Sequence, residues 1–208
     1  MSQHDAVESD AHWMSIGDLM SGLMMIFALL VVATMLLLSQ RHEQSQQNRI
    51  FVIQAISEQL NADGIQAEIN PETGDITIMD NILFGHDSAK LSAEGVKFLK
   101  RFIPLYARGI YKNPDAAEEV VRVIVEGHSN KVGDYGYNMQ LSLLRANAVM
   151  QNILSFEFPH KTKLMNKLTV TGRGETEANQ KVATKADRKV MFRLQFKGTY
   201  EEAVRLLK

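Results

Sequence analysis

The sequence predicts an α+β protein with a single N-terminal transmembrane helix, a connecting helix and a C-terminal sandwich of helices on a sheet. Three observations predict this class. An uncharged apolar run covers residues 19–40, helical periodicity follows it, and β-type and amphipathic segments share the rest of the chain. The 208 residues provide enough chain for one soluble domain besides the membrane segment.

The membrane helix is predicted at residues 15–40. The 22 uncharged residues from Leu19 to Gln40 span about 33 Å as a helix, enough for a hydrocarbon core of about 30 Å. Residues 1–14 form an acidic tail without Lys or Arg, which is not typical of a cleavable signal peptide. We therefore interpret the run as a retained membrane anchor.

Asp18 lies at the start of this membrane segment. An ionisable residue in a membrane helix usually marks an ion or proton pathway. Gly17, Ser21 and Gly22 surround it with small side chains, so that another helix can approach closely. Alternatively, Ser15 and Asp18 form an S-x-x-D capping box, and Asp18 is only a helix cap near the headgroups. The sequence leaves both interpretations open.

Residues 41–62 form the predicted connector helix. Ile50, Ile53, Ile56 and Leu60 recur in it at helical spacing. This apolar face either packs on the soluble domain or makes the helix a dimer contact or a plug over a channel mouth.

The predicted soluble domain covers residues 63–208. Its β-type segments predict strands at residues 65–69, 75–79, 120–125, 167–171 and 190–196. Amphipathic helices are predicted at residues 91–106, with Ser92 as the N-cap, and at residues 141–154. A further short helix is predicted at the C-terminus. The resulting order, β-β-α-β-α-β-β, places helices on one face of a sheet.

Composition argues against several classes of function. A net charge of −1 offers no electrostatic case for binding nucleic acid. The absence of cysteine excludes disulfides and thiolate metal ligands. The six histidines do not have metal-site spacing, and neither a nucleophile-elbow nor a Walker A motif is found. We therefore predict a protein that is not an enzyme and has no cofactor or resident metal.

Several separated motifs follow one another in a known order. Gly127 and His128 fit G-H-T-D, and an N-x-x-L-S-x-x-R-A-x-x-V pattern is matched by Asn138, Leu141, Ser142, Arg145, Ala146 and Val149. Residues 83–91, 172–174 and 187–190 supply an F-x-x-x-S-x-x-L-like segment, a G-x-G turn and an N-R-R-V-like segment. Together these motifs resemble the OmpA-like peptidoglycan-binding family over about residues 75–197.

This resemblance implies an OmpA-like β/α sandwich that binds peptidoglycan stem peptides through His128, Asn130, Asn138, Leu141, Arg145 and Arg188. In the family, an Asp and the motif Arg grip the diamino acid of the stem peptide. Here Arg145 is retained, and its planar fork suits a carboxylate, whereas Asn130 replaces the Asp and cannot pair an ammonium charge. The alternatives are structural roles, with His128 as a loop histidine and Arg145 fixing the loop by hydrogen bonds.

An acidic residue in an N-terminal helix, a connector and an OmpA-like domain together resemble the MotB family of stator subunits. Residues 13–27 are most similar to B subunits of Zorya anti-phage systems. The resemblance implies a homodimer inside a five-subunit ring of a multi-helix, MotA-like A subunit in the bacterial inner membrane. It also implies flow of protons, rather than sodium, through Asp18, and a wall-bound domain.

The orientation implied by the resemblance has the N-terminus in the cytoplasm and the C-terminal domain in the periplasm. Arg41 and Arg49 follow the membrane segment, and the positive-inside rule would keep that side in the cytoplasm. We give the domain more weight, because long domains translocate largely regardless of charge. The alternative function is a passive, membrane-anchored cell-wall tether of the OmpA-like family without ion transport.

Overall fold

The computed structural model describes residues 3–65, 67–85 and 87–198, with side chains from residue 17 onward. The predicted C-terminal helix therefore lies outside the described residues. The chain divides into two compact units, residues 1–46 and residues 47–208. The predicted α+β class, with a long apolar N-terminal helix before a domain of sheet and helices, is confirmed.

The first helix, α1 (Gln3–Ala62), is continuous where the sequence predicted a tail, a membrane helix and a connector. Nothing in this stretch forces a break in the helix, because it contains no proline and glycine only at Gly17 and Gly22. The helix ends at Ala62, and Gly64 in the turn that follows has a φ of 70°, the left-handed conformation common after a helix terminus. The Gly64 N–H donates to the carbonyl of Asn61 at 3.0 Å.

In the first unit, the apolar residues of α1 are exposed on all sides. One helix of the described chain is long and apolar enough to cross a membrane, and none of its apolar window is buried. Exposure on every side of such a helix is typical of a surface that faces lipid or other membrane helices.

In the second unit, the end of α1 is part of the domain core. Val52, Ile53, Ile56 and Leu60 are buried at one face of this helix. Of the two interpretations of the connector, packing on the soluble domain is therefore the one the structure supports. The compact unit that contains these residues begins at residue 47. Ile50, the first residue of the predicted apolar face, is 54% exposed.

A mixed five-stranded sheet forms the centre of the domain. Its strands are β1 (Glu68–Ile69), β2 (Ile76–Met79), β3 (Val120–His128), β4 (Leu168–Gly172) and β5 (Lys189–Phe196). Their order across the sheet is β1-β2-β5-β3-β4, with β3 and β4 parallel and the other neighbours antiparallel. Alternate residues of β5 are buried, so that one face of this strand belongs to the core.

Two long helices pack on the core side of the sheet. They are α3 (Ala93–Ile110) and α5 (Tyr135–Leu154), and three short helices accompany them: α2 (Asp80–Leu83), α4 (Pro114–Glu119) and α6 (Lys161–Met165). The Ser92 hydroxyl accepts from the Gly95 N–H at 2.9 Å, which confirms the predicted N-cap of α3. Phe102 and Tyr106 of α3 contact the ring of Phe192 edge-on, at centroid distances of 5.0 and 5.6 Å.

Helix α5 begins six residues earlier than predicted, at Tyr135. Asp134 caps it, because its side chain accepts from the N–H groups of Gly136 and Tyr137. The helix lies close to β3 because residue 127 is glycine. A Cβ atom at Gly127 would stand 2.0 Å from the carbonyl oxygen of Ser142. This close approach positions the first turns of α5 beside the loop that follows β3.

Candidate functional site

A polar cavity of about 350 Å³ opens where the loops after α2 and β3 meet α5 and the start of β5. Its lining residues are Asp87, Ser129, Asn130, Val132, Gly133, Tyr137, Asn138, Leu141, Arg145 and Arg188. Five of the six side chains predicted for ligand binding are brought together here: Asn130, Asn138, Leu141, Arg145 and Arg188. The motifs of the sequence thus converge on one concave site.

Arg145 is the buried centre of this cavity. Only 1% of the residue is exposed, and its guanidinium lies over the ring of Phe84 at 5.5 Å. Nε donates to the Ser88 carbonyl at 3.0 Å, which fixes the loop after α2. Burial lowers the pKa of Arg145, and the charge of Asp80 opposes that shift.

The Nη1 atom of Arg145 is buried and, within the described part of the chain, forms an ion pair but no hydrogen bond. It lies 3.5 Å from Oδ2 of Asp80, and it has no hydrogen-bond partner among the described residues. Ser129 also lines the cavity, and its hydroxyl is likewise buried and without a hydrogen bond in the described part of the chain. A buried donor without an acceptor is costly, so these atoms suit a bound oxygen acceptor such as a carboxylate.

Arg188 is held at the cavity wall by Asp80. Its Nε donates to Oδ2 of Asp80 at 3.1 Å, and the Asp80 N–H donates to the Arg188 carbonyl at 3.1 Å. Asp80 is itself buried and pairs with both arginines of the cavity. Sequence reasoning missed Asp80 because it is separated from Arg188 by 108 positions.

The side chains of Asn130 and Asn138 both hydrogen-bond the backbone of the loop that follows β3. Oδ1 of Asn130 accepts from the Val132 N–H at 3.4 Å. Nδ2 of Asn138 donates to the Val132 carbonyl at 3.1 Å and to Oε2 of Glu175 at 2.5 Å. Asn138 is buried, so its main contribution is to hold the shape of this loop.

Asp87 is a cavity residue that the motif comparison did not identify. Its Oδ1 accepts from the Tyr137 hydroxyl at 3.1 Å, and this hydrogen bond raises the pKa of Tyr137. Asp87 has a φ of 49°, in the left-handed region that Asp tolerates better than most residues. Its place directly before the motif serine was the one signal in the sequence that could have indicated it.

His128 does not line the cavity, and the prediction that it contacts the ligand is not supported by its position. Alternation along β3 puts it on the same face as Glu126, whereas Gly127 faces α5. Nε2 of His128 lies 2.9 Å from Oε1 of Glu126, and both residues are buried. The alternative of a structural histidine fits this geometry.

Glu126, His128 and Glu177 present three potential metal-ligand atoms within 4.8 Å of one another. Arg193 Nη1 donates to Glu126 at 3.0 Å, and Arg173 Nη2 donates to Glu177 at 2.8 Å. Because the arginine donors already engage both carboxylates, we interpret this cluster as an ion-pair network on the outer face of the sheet.

Asp18 lies well inside α1. The capping-box interpretation is wrong, because the helix begins at Gln3, far upstream of Asp18. The Ser21 hydroxyl donates to the backbone carbonyl of Asp18 at 2.8 Å, so this hydrogen bond does not involve the Asp18 carboxylate. A Cβ atom at Gly17 or Gly22 would meet nothing within 4 Å among the described residues, so this face is open to a partner helix.

Comparisons with known proteins agree with the motifs. The sequence profile of the OmpA family matches residues 83–191, which is more than half of the chain. A Zorya protein ZorB of Escherichia coli O139:H28 is 28% identical over 200 residues, covering 89% of this chain and 80% of that protein. A second ZorB, from the Crooks strain of Escherichia coli, is 28% identical over 164 residues, covering 70% of this chain and 68% of that protein.

Among solved structures, one described as that of a MotB-like protein from Desulfovibrio vulgaris has the same fold. Its TM-score is 0.56 at 17% identity, and the match covers 76% of this chain and 97% of that chain. The predicted resemblance to MotB-like proteins and to Zorya B subunits is confirmed at the level of similarity.

Proposed function

This chain belongs to the OmpA family, and we propose that it is a stator-type subunit of the inner membrane whose soluble domain holds peptidoglycan. The observation that carries the proposal is the cavity around Arg145. A buried guanidinium that shares the carboxylate of Asp80 with Arg188, in a cavity also lined by Ser129, is suited to an acidic group of a stem peptide.

The membrane part of the proposal is supported by α1. Its exposed apolar run is long enough to cross a bilayer, and Asp18 lies within the same helix. An ionisable residue in such a helix is a functional-site hypothesis by default. We propose that Asp18 carries protons across the membrane, with Gly17, Ser21 and Gly22 allowing close contact with a partner helix.

The proposed orientation has the N-terminus in the cytoplasm and the domain in the periplasm, where its ligand is found. Arg41 and Arg49 oppose this orientation only weakly, since large domains translocate largely regardless of charge. By analogy with the ZorB and MotB-like relatives, we propose a homodimer within a five-subunit ring of a MotA-like subunit. We further propose that this motor acts in anti-phage defence.

Sedimentation with purified peptidoglycan sacculi tests the wall-binding part. The full-length protein in detergent is expected to co-sediment, and Arg145→Ala is expected to weaken binding at least tenfold because the buried fork is lost. Arg145→Lys keeps the charge but lacks the planar fork, so it should also bind weakly. Arg101→Ala, on the exposed side of α3 at its pair with Asp63, is the matched control.

Circular dichroism of each variant separates loss of binding from loss of folding. Unchanged sedimentation of a folded Arg145→Ala or Arg145→Lys variant would contradict wall binding through this cavity. Loss of sedimentation in Arg101→Ala would equally show that the assay does not report on the site.

A second candidate function is a passive wall tether, which the same cavity and the same apolar helix would serve. It is favoured by the cavity around Arg145, which requires no ion flow in order to bind a ligand. The two candidates differ in whether replacing Asp18 changes ion flux. Only the stator requires a carboxylate in the membrane segment.

A further inference from the structure

The positive and negative charges of the cavity lie on different sides of it. Asp80, buried behind the wall, pairs with Nε of Arg188 at 3.1 Å and faces Nη1 of Arg145 at 3.5 Å. One carboxylate is thus shared by two guanidinium groups, which leaves an excess of positive charge on this side. An acidic ligand group would compensate this excess.

On the opposite side, Asp87 supplies the negative charge of the cavity. Among the described residues that line it, Asp87 is the only carboxylate. It is exposed, and it accepts a hydrogen bond from the Tyr137 hydroxyl at 3.1 Å. No ion pair of Asp87 is found within the described part of the chain, so its charge is available to a ligand.

The position of Asp87 is fixed by the same arginine that provides the positive charge. Arg145 Nε donates to the carbonyl of Ser88, the next residue along the chain, at 3.0 Å. Tyr137, on the first turn of α5, holds the Asp87 carboxylate from the other side. The anionic and cationic groups are therefore positioned by a common set of contacts rather than by independent loops.

Asn130 contributes no charge to this arrangement. Its side chain is neutral, and its Oδ1 accepts from the Val132 N–H within its own loop. A purely anionic ligand would be repelled by Asp87, and a purely cationic ligand would be repelled by the two arginines. A ligand with both charges satisfies both sides of the cavity.

We propose that Asp87 binds the ammonium group of a ligand whose carboxylate is bound by Arg145, so that the cavity recognises a zwitterionic amino-acid centre. This inference rests on the proposed wall binding, whose ligand in the family is the diamino acid of a stem peptide, and it adds Asp87 as the residue that pairs the ammonium group in this chain. Asp87, in the loop after α2, supplies a negative charge. The neutral Asn130, in the loop after β3, cannot supply it.

A pair of small probes tests the assignment. Meso-diaminopimelate carries both charges at each end, and pimelate is the same dicarboxylate chain without amino groups. Titrated calorimetrically into the full-length protein in detergent, diaminopimelate is expected to bind about fivefold more tightly than pimelate, because of the ammonium pair with Asp87.

The Asp87→Asn variant is expected to bring this ratio close to one, while its affinity for pimelate is kept or increased. In the Asp87→Asn background, Asn130→Asp is expected to restore the preference for diaminopimelate, because it returns a carboxylate to the cavity. Asp115→Asn, exposed on α4, is the matched control and should retain the ratio of the unaltered protein.

Each contrary outcome is informative. An unchanged ratio in Asp87→Asn, an equal loss of both probes, or no preference in the unaltered protein would overturn the role of Asp87. Failure of the wall-binding function is a separate result, since it is indicated by undiminished sacculus binding of folded Arg145→Ala. Asp87→Asn with an altered ratio but intact folding supports the assignment.

Discussion

Two stretches of α1 illustrate how one helix is adapted to two environments. Between Leu19 and Leu38, the large apolar side chains are 36–74% exposed and occur on every side. Between Val52 and Leu60, apolar residues recur on one face only, and that face is at most 7% exposed. The backbone is the same, but the pattern of side chains differs.

This difference shows that periodicity, rather than total hydrophobicity, indicates what covers a helix. A helix that is apolar on all sides requires an apolar solvent, whereas one apolar stripe requires a core on one side. The first stretch therefore fits a bilayer, and the second is part of a soluble domain. Each region also has its own candidate functional group: Asp18 lies beside the apolar stretch, and the charged cavity lies in the domain.

The largest expected difference between the two stretches of α1 is in how a large-to-small substitution changes the free energy of unfolding. Ile56→Ala should lower the free energy of unfolding of the domain by about 3 kcal/mol, because Ile56 is buried in its core. Leu30→Ala should change it by less than about 0.5 kcal/mol, since Leu30 lies in the exposed stretch. Hydrogen exchange of the β5 amides in detergent measures both, and equal effects would refute the division.

A pair of glycine substitutions tests close approach in the two regions. Gly127→Ala should destabilise the domain by about 2 kcal/mol, because the added Cβ would meet the Ser142 carbonyl and displace α5. Wall binding should fall with it, since α5 carries Arg145. Gly22→Ala has open space in this chain and should leave hydrogen exchange in the domain unchanged. A Gly127→Ala variant with native stability would contradict the packing described.

A smaller, pH-dependent effect is expected at Glu126 on the outer face of the sheet. Burial alone would raise the pKa of Glu126, but the His128 hydrogen bond and the charges of Arg193 and Arg173 lower it below its ordinary value of 4.5. The ionised group therefore stabilises the domain fully above about pH 4.5, and this contribution is lost as pH falls through the lowered pKa.

Glu126→Gln should accordingly reduce the free energy of unfolding by about 1.5 kcal/mol at pH 7, with a difference that narrows below pH 4.5. Urea unfolding in detergent at a series of pH values measures it. Glu72→Gln, in the exposed hairpin turn, is the control and should have little effect at any pH. A difference that is independent of pH would argue against the ionised pair.

Local patterns in the sequence were sufficient for much of the fold. Alternation predicted β2, a β-type segment predicted β5, and a serine before an amphipathic run predicted the N-cap of α3 at Ser92. The earlier start of α5 was missed because its first turn, Tyr135 to Tyr137, contains no apolar periodicity. Continuity of α1 was missed because a change in composition was taken for a change in structure.

The site was predicted only as far as its motifs extend. Arg145 and Arg188 were found, but Asp80 and Asp87 approach them from a distant part of the sequence, and spacing rules do not describe such contacts. The position of His128 depends on which face of β3 it occupies, which the sheet order and the packing of α5 decide.

The most direct test of the stator account is proton flux in cells that produce this chain together with a MotA-like partner subunit. Asp18→Asn is expected to abolish flux while sedimentation with sacculi is retained, because the cavity is unaltered. Arg145→Ala serves as the reciprocal control, with wall binding lost. Flux that persists unchanged in Asp18→Asn would contradict the account and favour a passive tether.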